Sequence, residues 1–182
     1  EFFDVNAIYD IFPLSSTSIT IGRTLCTDEA ITQAVCVTAL FMLGGSDPTQ
    51  LNTTILPKFF SYFPAGLSVQ TLSHYSQNIM TEKFQAYDYG YLGNYKQYGQ
   101  MTPIMYDFKK VTVPLALFYG AHDFLAPKLN VLETYKHLPN VILLEEITHK
   151  LFTHFDFVIA IDVKTLLYDR VIELLQRFRN RT

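Results

Sequence analysis

The sequence has only two cysteines, no tryptophan and no long block of like charge among its 182 residues. Cys26 and Cys36 stand ten apart, with neither a C-x-x-C spacing nor a His/Cys cluster beside them, so no metal-ligand pattern is present. Formal charge is −3, from 14 Lys and Arg against 17 Asp and Glu. The largest basic grouping is Arg177, Arg179 and Arg181, which leaves nucleic-acid binding without an electrostatic footprint. No apolar run reaches the roughly 18 residues that a bilayer span needs; residues 35–43 fall short and include Thr38. The opening Glu1-Phe-Phe-Asp4 carries neither the basic n-region nor the apolar h-region of a signal peptide, and a chain that opens mid-pattern is expected to be a fragment. A Gly-x-Ser-x-Gly turn, which lifts a nucleophilic serine onto a strand-to-helix elbow, is also missing. The nearest approach, Gly66-Leu-Ser68-Val-Gln70, lacks the second glycine, and Ser68, Ser73 and Ser76 fall on an expected helix with no such elbow.

What is present suits a compact globule: 49% hydrophobic residues, 17% charged, and an abundance of Phe and Tyr that is read mainly as core packing. Thr27 is expected to cap a helix with Asp28 and Glu29 in its first turn, running to about Leu43 and stopping at Gly44-Gly45. Its end is apolar nearly all round, which implies burial on both sides or a face turned to lipid or a substrate tunnel. A second helix is expected from Ser68, with Val69, Leu72, Tyr75, Ser76 and Ile79 on one stripe. Residues 84–106 show no periodicity. From Val111 the texture becomes strand, loop, helix, strand, loop, helix, the pattern of parallel α/β architecture. Pro127 is expected at the first position of one helix, and Asp162 as the cap of the last. The chain divides near residue 110, with an irregular helical part over 1–110 and two βα units over 111–182. Two N-x-T sequons, at Asn52 and Asn180, tilt the reading toward the secretory pathway. There Cys26 and Cys36 can form a short-range disulfide; buried free thiols are the alternative.

The chemistry concentrates beyond two strand ends. Val113-Pro-Leu-Ala-Leu-Phe-Tyr119 runs into Gly120-Ala-His-Asp123, and Val141-Ile-Leu-Leu-Glu-Glu-Ile147 runs on to Thr153-His154-Phe-Asp156. Open α/β sheets collect ligands and reacting groups at the carboxyl ends of their strands. An acid followed by a histidine matches the second and third members of a Ser…Asp…His triad in α/β-hydrolase order. Asp123 is therefore the candidate acid and His154 the candidate base, the acid orienting the imidazole and stabilising its charged form. His149, His122 and Asp156 compete. His149 is too close to the strand end to reach far, so it is expected farther from Asp123 and more exposed than His154. His122 is expected to point the other way, and Asp156 to bind backbone. Phe155 and Phe157 are expected to anchor the His154 loop.

These residues also carry a resemblance. Asn52-Thr-Thr54, Pro64-Ala-Gly-Leu-Ser-Val-Gln70, His74-Tyr-Ser-Gln77, Phe84-Gln-Ala-Tyr-Asp-Tyr-Gly90, Val113-Pro114, Gly120-Ala-His-Asp123-Phe-Leu-Ala126 and His154-Phe-Asp-Phe157 resemble, in order and over nearly the whole chain, the gastric and lysosomal acid lipases. The resemblance implies the C-terminal part of an α/β-hydrolase with a helical cap, secreted or lysosomal, cleaving neutral-lipid esters at a lipid–water interface without metal or other cofactor. It places the acid at Asp123, the base at His154, a cap disulfide at Cys26 and Cys36, and a glycan at Asn52. The chain departs from the family pattern in lacking the serine elbow and in its longer base loop. Tyr75 and Tyr89 stand where tryptophan is usual, and Gly44 where a further cysteine is found. An inactive, truncated paralogue that binds lipid or a partner is the rival expectation.

Overall fold

The computed structural model describes residues 10–11, 15–28 and 31–179; Glu1-Phe-Phe-Asp4, Glu29, Arg181 and the Asn180 sequon lie outside the described residues. Helix α1 (Ser16–Leu25), not anticipated from the sequence, is started by a capping box. The Ser15 hydroxyl accepts the Ser18 N–H at 3.1 Å and the Ser18 hydroxyl accepts the Ser15 N–H at 2.9 Å.

The helix expected to begin at Thr27 begins instead at Gln33, as α2 (Gln33–Gly44). The reason is the disulfide. Cys26 and Cys36 are bonded with their Cα atoms 5.7 Å apart, whereas residues ten apart on one helix are separated by roughly 15 Å. The chain must therefore reverse between them. Thr27 donates its hydroxyl to Arg23 O at the end of α1, and Asp28 accepts from the Gln33 amide and the Thr53 hydroxyl, so both residues tie down the reversal rather than open a helix. The far end of α2 is as the sequence predicts, with Gly45 in the left-handed region at φ +106°. Of the two readings of its apolar surface, the exposed face holds: Cys36 and Leu40 are buried, while Val35 and Met42 are 69% and 75% exposed.

After α3 (Leu56–Phe59) the chain makes a two-residue antiparallel pairing of β1 (Asp10–Ile11) with β2 (Leu67–Ser68), and Ser68 then caps α4 (Val69–Thr81) by accepting the Thr71 N–H at 3.0 Å. The 84–106 stretch contains a helix that periodicity does not reveal, α5 (Gly90–Tyr98). Its anchor is polar. Buried Asn94 donates to Asp88 Oδ1 at 2.7 Å and to Met101 O at 3.1 Å, and accepts the Tyr89 N–H at 2.9 Å.

The second part is α/β. Strands β3 (Leu115–Tyr119) and β4 (Val141–Glu146) pair in parallel, joined by α6 (Lys128–His137), which starts one residue after Pro127. Beyond β4 come the single turn α7 (Asp156–Ile159), a wide turn over Lys164–Tyr168, and α8 (Asp169–Arg179). Asp162 offers its carbonyl to the Leu166 N–H, but its carboxylate accepts from the Gln50 amide instead of capping the helix. One core gathers Cys26, Cys36, Leu40 and Leu56 with Phe59 and Phe155; the other gathers Ile147, Phe152, Ala160 and Leu167 with Phe118 and Phe157. Among the described residues no helix is long and apolar enough to cross a membrane.

The bridge closes a loop of ten positions, for which the chain-entropy contribution is about 3 kcal/mol or less. Peptide mapping of protein from an oxidising compartment should find Cys26 joined to Cys36, and reduction should lower the urea midpoint accordingly. Free thiols in that material contradict the assignment.

Candidate active site

The loop after β3 is pressed against the loop after β4. A Cβ at Gly120 would lie 2.3 Å from Phe152 O, so only glycine permits this approach. Phe152 O also accepts the His122 N–H at 3.1 Å, which locks the two loops together. Asp123 follows, buried to 6% exposure. Its Oδ1 accepts the N–H groups of Leu125 at 2.9 Å and Ala126 at 2.7 Å, the local turn that aspartate favours. That fixes the carboxylate plane and leaves Oδ2 facing His154, whose Nδ1 is 3.0 Å away.

His154 is placed by its neighbours in sequence. Phe152 is fully buried. The Thr153 N–H donates to Asp156 Oδ2 at 2.7 Å, and the His154 N–H donates to Gly44 O at 3.0 Å. Burial pushes the Asp156 carboxyl above the ordinary range, opposed chiefly by the hydrogen bonds from Thr153. The two flanking phenylalanines diverge. Phe155 packs into the disulfide core, edge-on to Phe59 and Phe63, and Phe157 meets Phe152 edge-on at 4.9 Å. The His154 side chain stays 44% exposed beside the Phe155 ring.

The competing residues are engaged elsewhere. His122 stacks on Phe124, and Asp156 holds backbone. His149 Nε2 lies 2.5 Å from Asp47 Oδ2. Contrary to expectation its side chain is the less exposed of the two histidines, at 25%, because Asp47 draws it inward. Asp47 was not singled out in the sequence: it lies 102 positions away and reads as a loop residue before Pro48. Among the described residues no serine hydrogen-bonds to His154, and Ser68 and Ser73 pair with Thr71 and Tyr87. No group of His, Cys, Asp and Glu able to hold a metal ion occurs among the described residues.

No family model matches the chain. It is similar to the human lysosomal acid lipase/cholesteryl ester hydrolase, with 32% identity over 171 residues, which is 93% of this chain and 42% of that protein. It is 34% identical to mouse gastric triacylglycerol lipase over 156 residues, covering 85% of this chain and 39% of that protein. With human lipase member J it shares 33% identity over 168 residues, covering 92% and 45% respectively. The chain thus spans about two fifths of the length of the curated relatives it matches.

The Asp156 geometry predicts a difference between two substitutions. Asp156→Ala strands the buried Thr153 N–H and should cost about 1–3 kcal/mol. Asp156→Asn keeps an acceptor and removes a buried charge, so it should cost less. Because the folded carboxyl titrates above its unfolded value, its favourable contribution is full in acid and is lost as pH rises through the raised value. Asparagine should therefore compare better with wild type at pH 7 than at pH 4 in urea unfolding. An asparagine variant as unstable as alanine at pH 7 contradicts this.

Proposed function

We propose, on the premise that this chain is related to the acid lipases, that Asp123 and His154 are the acid and base of a Ser-His-Asp triad for ester hydrolysis. The serine comes from polypeptide outside this sequence. The observation that supports the reading most directly is the 3.0 Å contact from His154 Nδ1 to a carboxylate whose other oxygen is held by two amides. With Nδ1–H bonded to Asp123, Nε2 is the nitrogen that takes the proton from a serine hydroxyl as it attacks the ester carbonyl. The same nitrogen then returns that proton to the leaving alcohol. Burial of Asp123 strengthens its stabilisation of the imidazolium, while the half-exposed ring remains accessible to substrate.

The substrate class follows from the surroundings and the relatives. Phe59, Phe63 and Phe155 make an aromatic wall beside His154, and α2 exposes Val35, Met42 and Leu43. Such surfaces suit acyl chains, and the relatives are named for triacylglycerol and cholesteryl ester hydrolysis. We assign neutral-lipid esters as substrate, residues 1–110 to a helical cap, and 111–182 to the C-terminal part of an α/β-hydrolase core. Secretion or lysosomal delivery accords with the disulfide and with exposed Asn52, whose Oδ1 accepts from the Thr54 N–H and hydroxyl.

The 182-residue chain alone should not turn over nitrophenyl esters beyond the rate of free imidazole. Enzyme-like turnover abolished by His154→Ala would show a nucleophile within the sequence and overturn the assignment of the serine elsewhere. Made in a eukaryotic secretory host, the chain should carry glycan at Asn52. An unmodified Asn52 by mass spectrometry contradicts the secretory reading.

A further inference from the structure

A second histidine–carboxylate pair joins Asp47 to the loop that carries His154. We propose that Asp47 and His149 are positioning residues that hold the loop bearing His154 in register with Asp123; this rests on the reading of His154 as the base. Asp47 is 1% exposed and uses both oxygens. Oδ2 meets His149 Nε2, and Oδ1 accepts the Thr49 N–H at 3.0 Å and the Thr49 hydroxyl at 2.6 Å. His149 is also tied through its own carbonyl, which accepts the Phe152 N–H at 3.1 Å. Phe152 in turn offers its carbonyl to His122, next to Asp123.

The contact solves a problem that the long loop creates. Seven positions separate Ile147 from His154, and each free residue adds conformational entropy that ordering must overcome. The loop is pinned near its end by Thr153 to Asp156 and by His154 to Gly44. Asp47 pins it near its start. The pair also settles the charge around it. Asp47 and Asp156 are two buried carboxylates; burial is the main cause of the raised Asp156 pKa, Asp47 adds to it, and His149 works in the opposite direction. The remaining nearby charges are already engaged: Lys150 with Glu146, and Asp162 with Gln50. Without His149 the buried Asp47 Oδ2 loses its partner, and in D47N the His149 ring loses its carboxylate acceptor, so either change frees the start of the loop. The loop must then move to let water reach Asp47, and His154 moves with it.

The test is nuclear magnetic resonance on the chain, wild type and the variants D123N, H149A, H149Q and D47N. The two readouts are solvent exchange of the His154 ring N–H proton and of its backbone amide, with the amides of β3 and β4 as reference. The proposal expects H149A and D47N to speed both exchanges at least about tenfold while the strand amides keep their protection. H149Q, which still offers an N–H to Asp47, should recover most of the loss. If H149A does not fold, D47N and H149Q decide the same comparison. Unchanged exchange in H149A and D47N overturns the positioning role, as does an equal loss of protection in the strands. The base assignment is read separately, from D123N. A ring proton lost in D123N but indifferent to His149 leaves the base and removes the clasp. A ring proton unprotected in wild type and indifferent to D123N removes the base, while the backbone amide still reports on the clasp.

Discussion

The carbonyl of Gly44 accepts the N–H of Phe124 at 3.4 Å and the N–H of His154 at 3.0 Å, so one atom at the end of α2 joins the loop bearing Asp123 to the loop bearing His154. A helix C-terminus leaves carbonyls without intrahelical partners, and here one of them finds its partners in the site. The approach has a steric condition. A Cβ at Gly44 would sit 2.5 Å from the Phe155 ring, and one at Gly45 would sit 2.1 Å from His122 O. Gly45 also has the φ of +106° that a side chain disfavours. The glycine pair thus does more than stop a helix. It lets α2 end flush against both loops, with the disulfide fixing the other end of α2 beside α1.

From that junction the two cores become a single support. Phe155 enters the disulfide core and Phe157 enters the core under the parallel strands, so the chain segment carrying His154 is held from both sides. Rigid support of this kind matters because an imidazole displaced by about 1 Å can lose roughly a hundredfold in rate. The polar contacts complete the fixation. Asp123 is oriented by two amides, and Thr153 is oriented by Asp156, whose carboxyl burial pushes above the ordinary range against the hydrogen bonds from Thr153. The acid lipases to which the chain is related are each more than twice as long as the matched segment.

Local features were legible in the sequence. The runs ending at Tyr119 and Ile147 contain the parallel strands, Ser68 caps α4, and Gly44-Gly45 ends α2. Asp123 and His154 lie in the loops beyond β3 and β4, a placement readable within a dozen residues of each strand, and their side chains meet at 3.0 Å. The differences have separate causes. The start of α2 was misplaced because a covalent bridge overrides the capping signal at Thr27. Helix α5 was missed because buried Asn94 anchors it in place of an apolar stripe. His149 was expected to be exposed because its partner Asp47 lies 102 positions away, and no local pattern announces such a pair.

On the proposed reading this sequence carries the acid and base of an ester hydrolase, and the serine lies in another stretch of polypeptide. The decisive experiment replaces the matching segment of a full-length acid lipase with this chain and measures hydrolysis of a short-chain triacylglycerol by the secreted, folded chimera. The triad reading requires turnover that falls by about a thousandfold or more on His154→Ala, and likewise on Asp123→Asn. A folded chimera that is inactive, or one whose turnover survives His154→Ala, contradicts it.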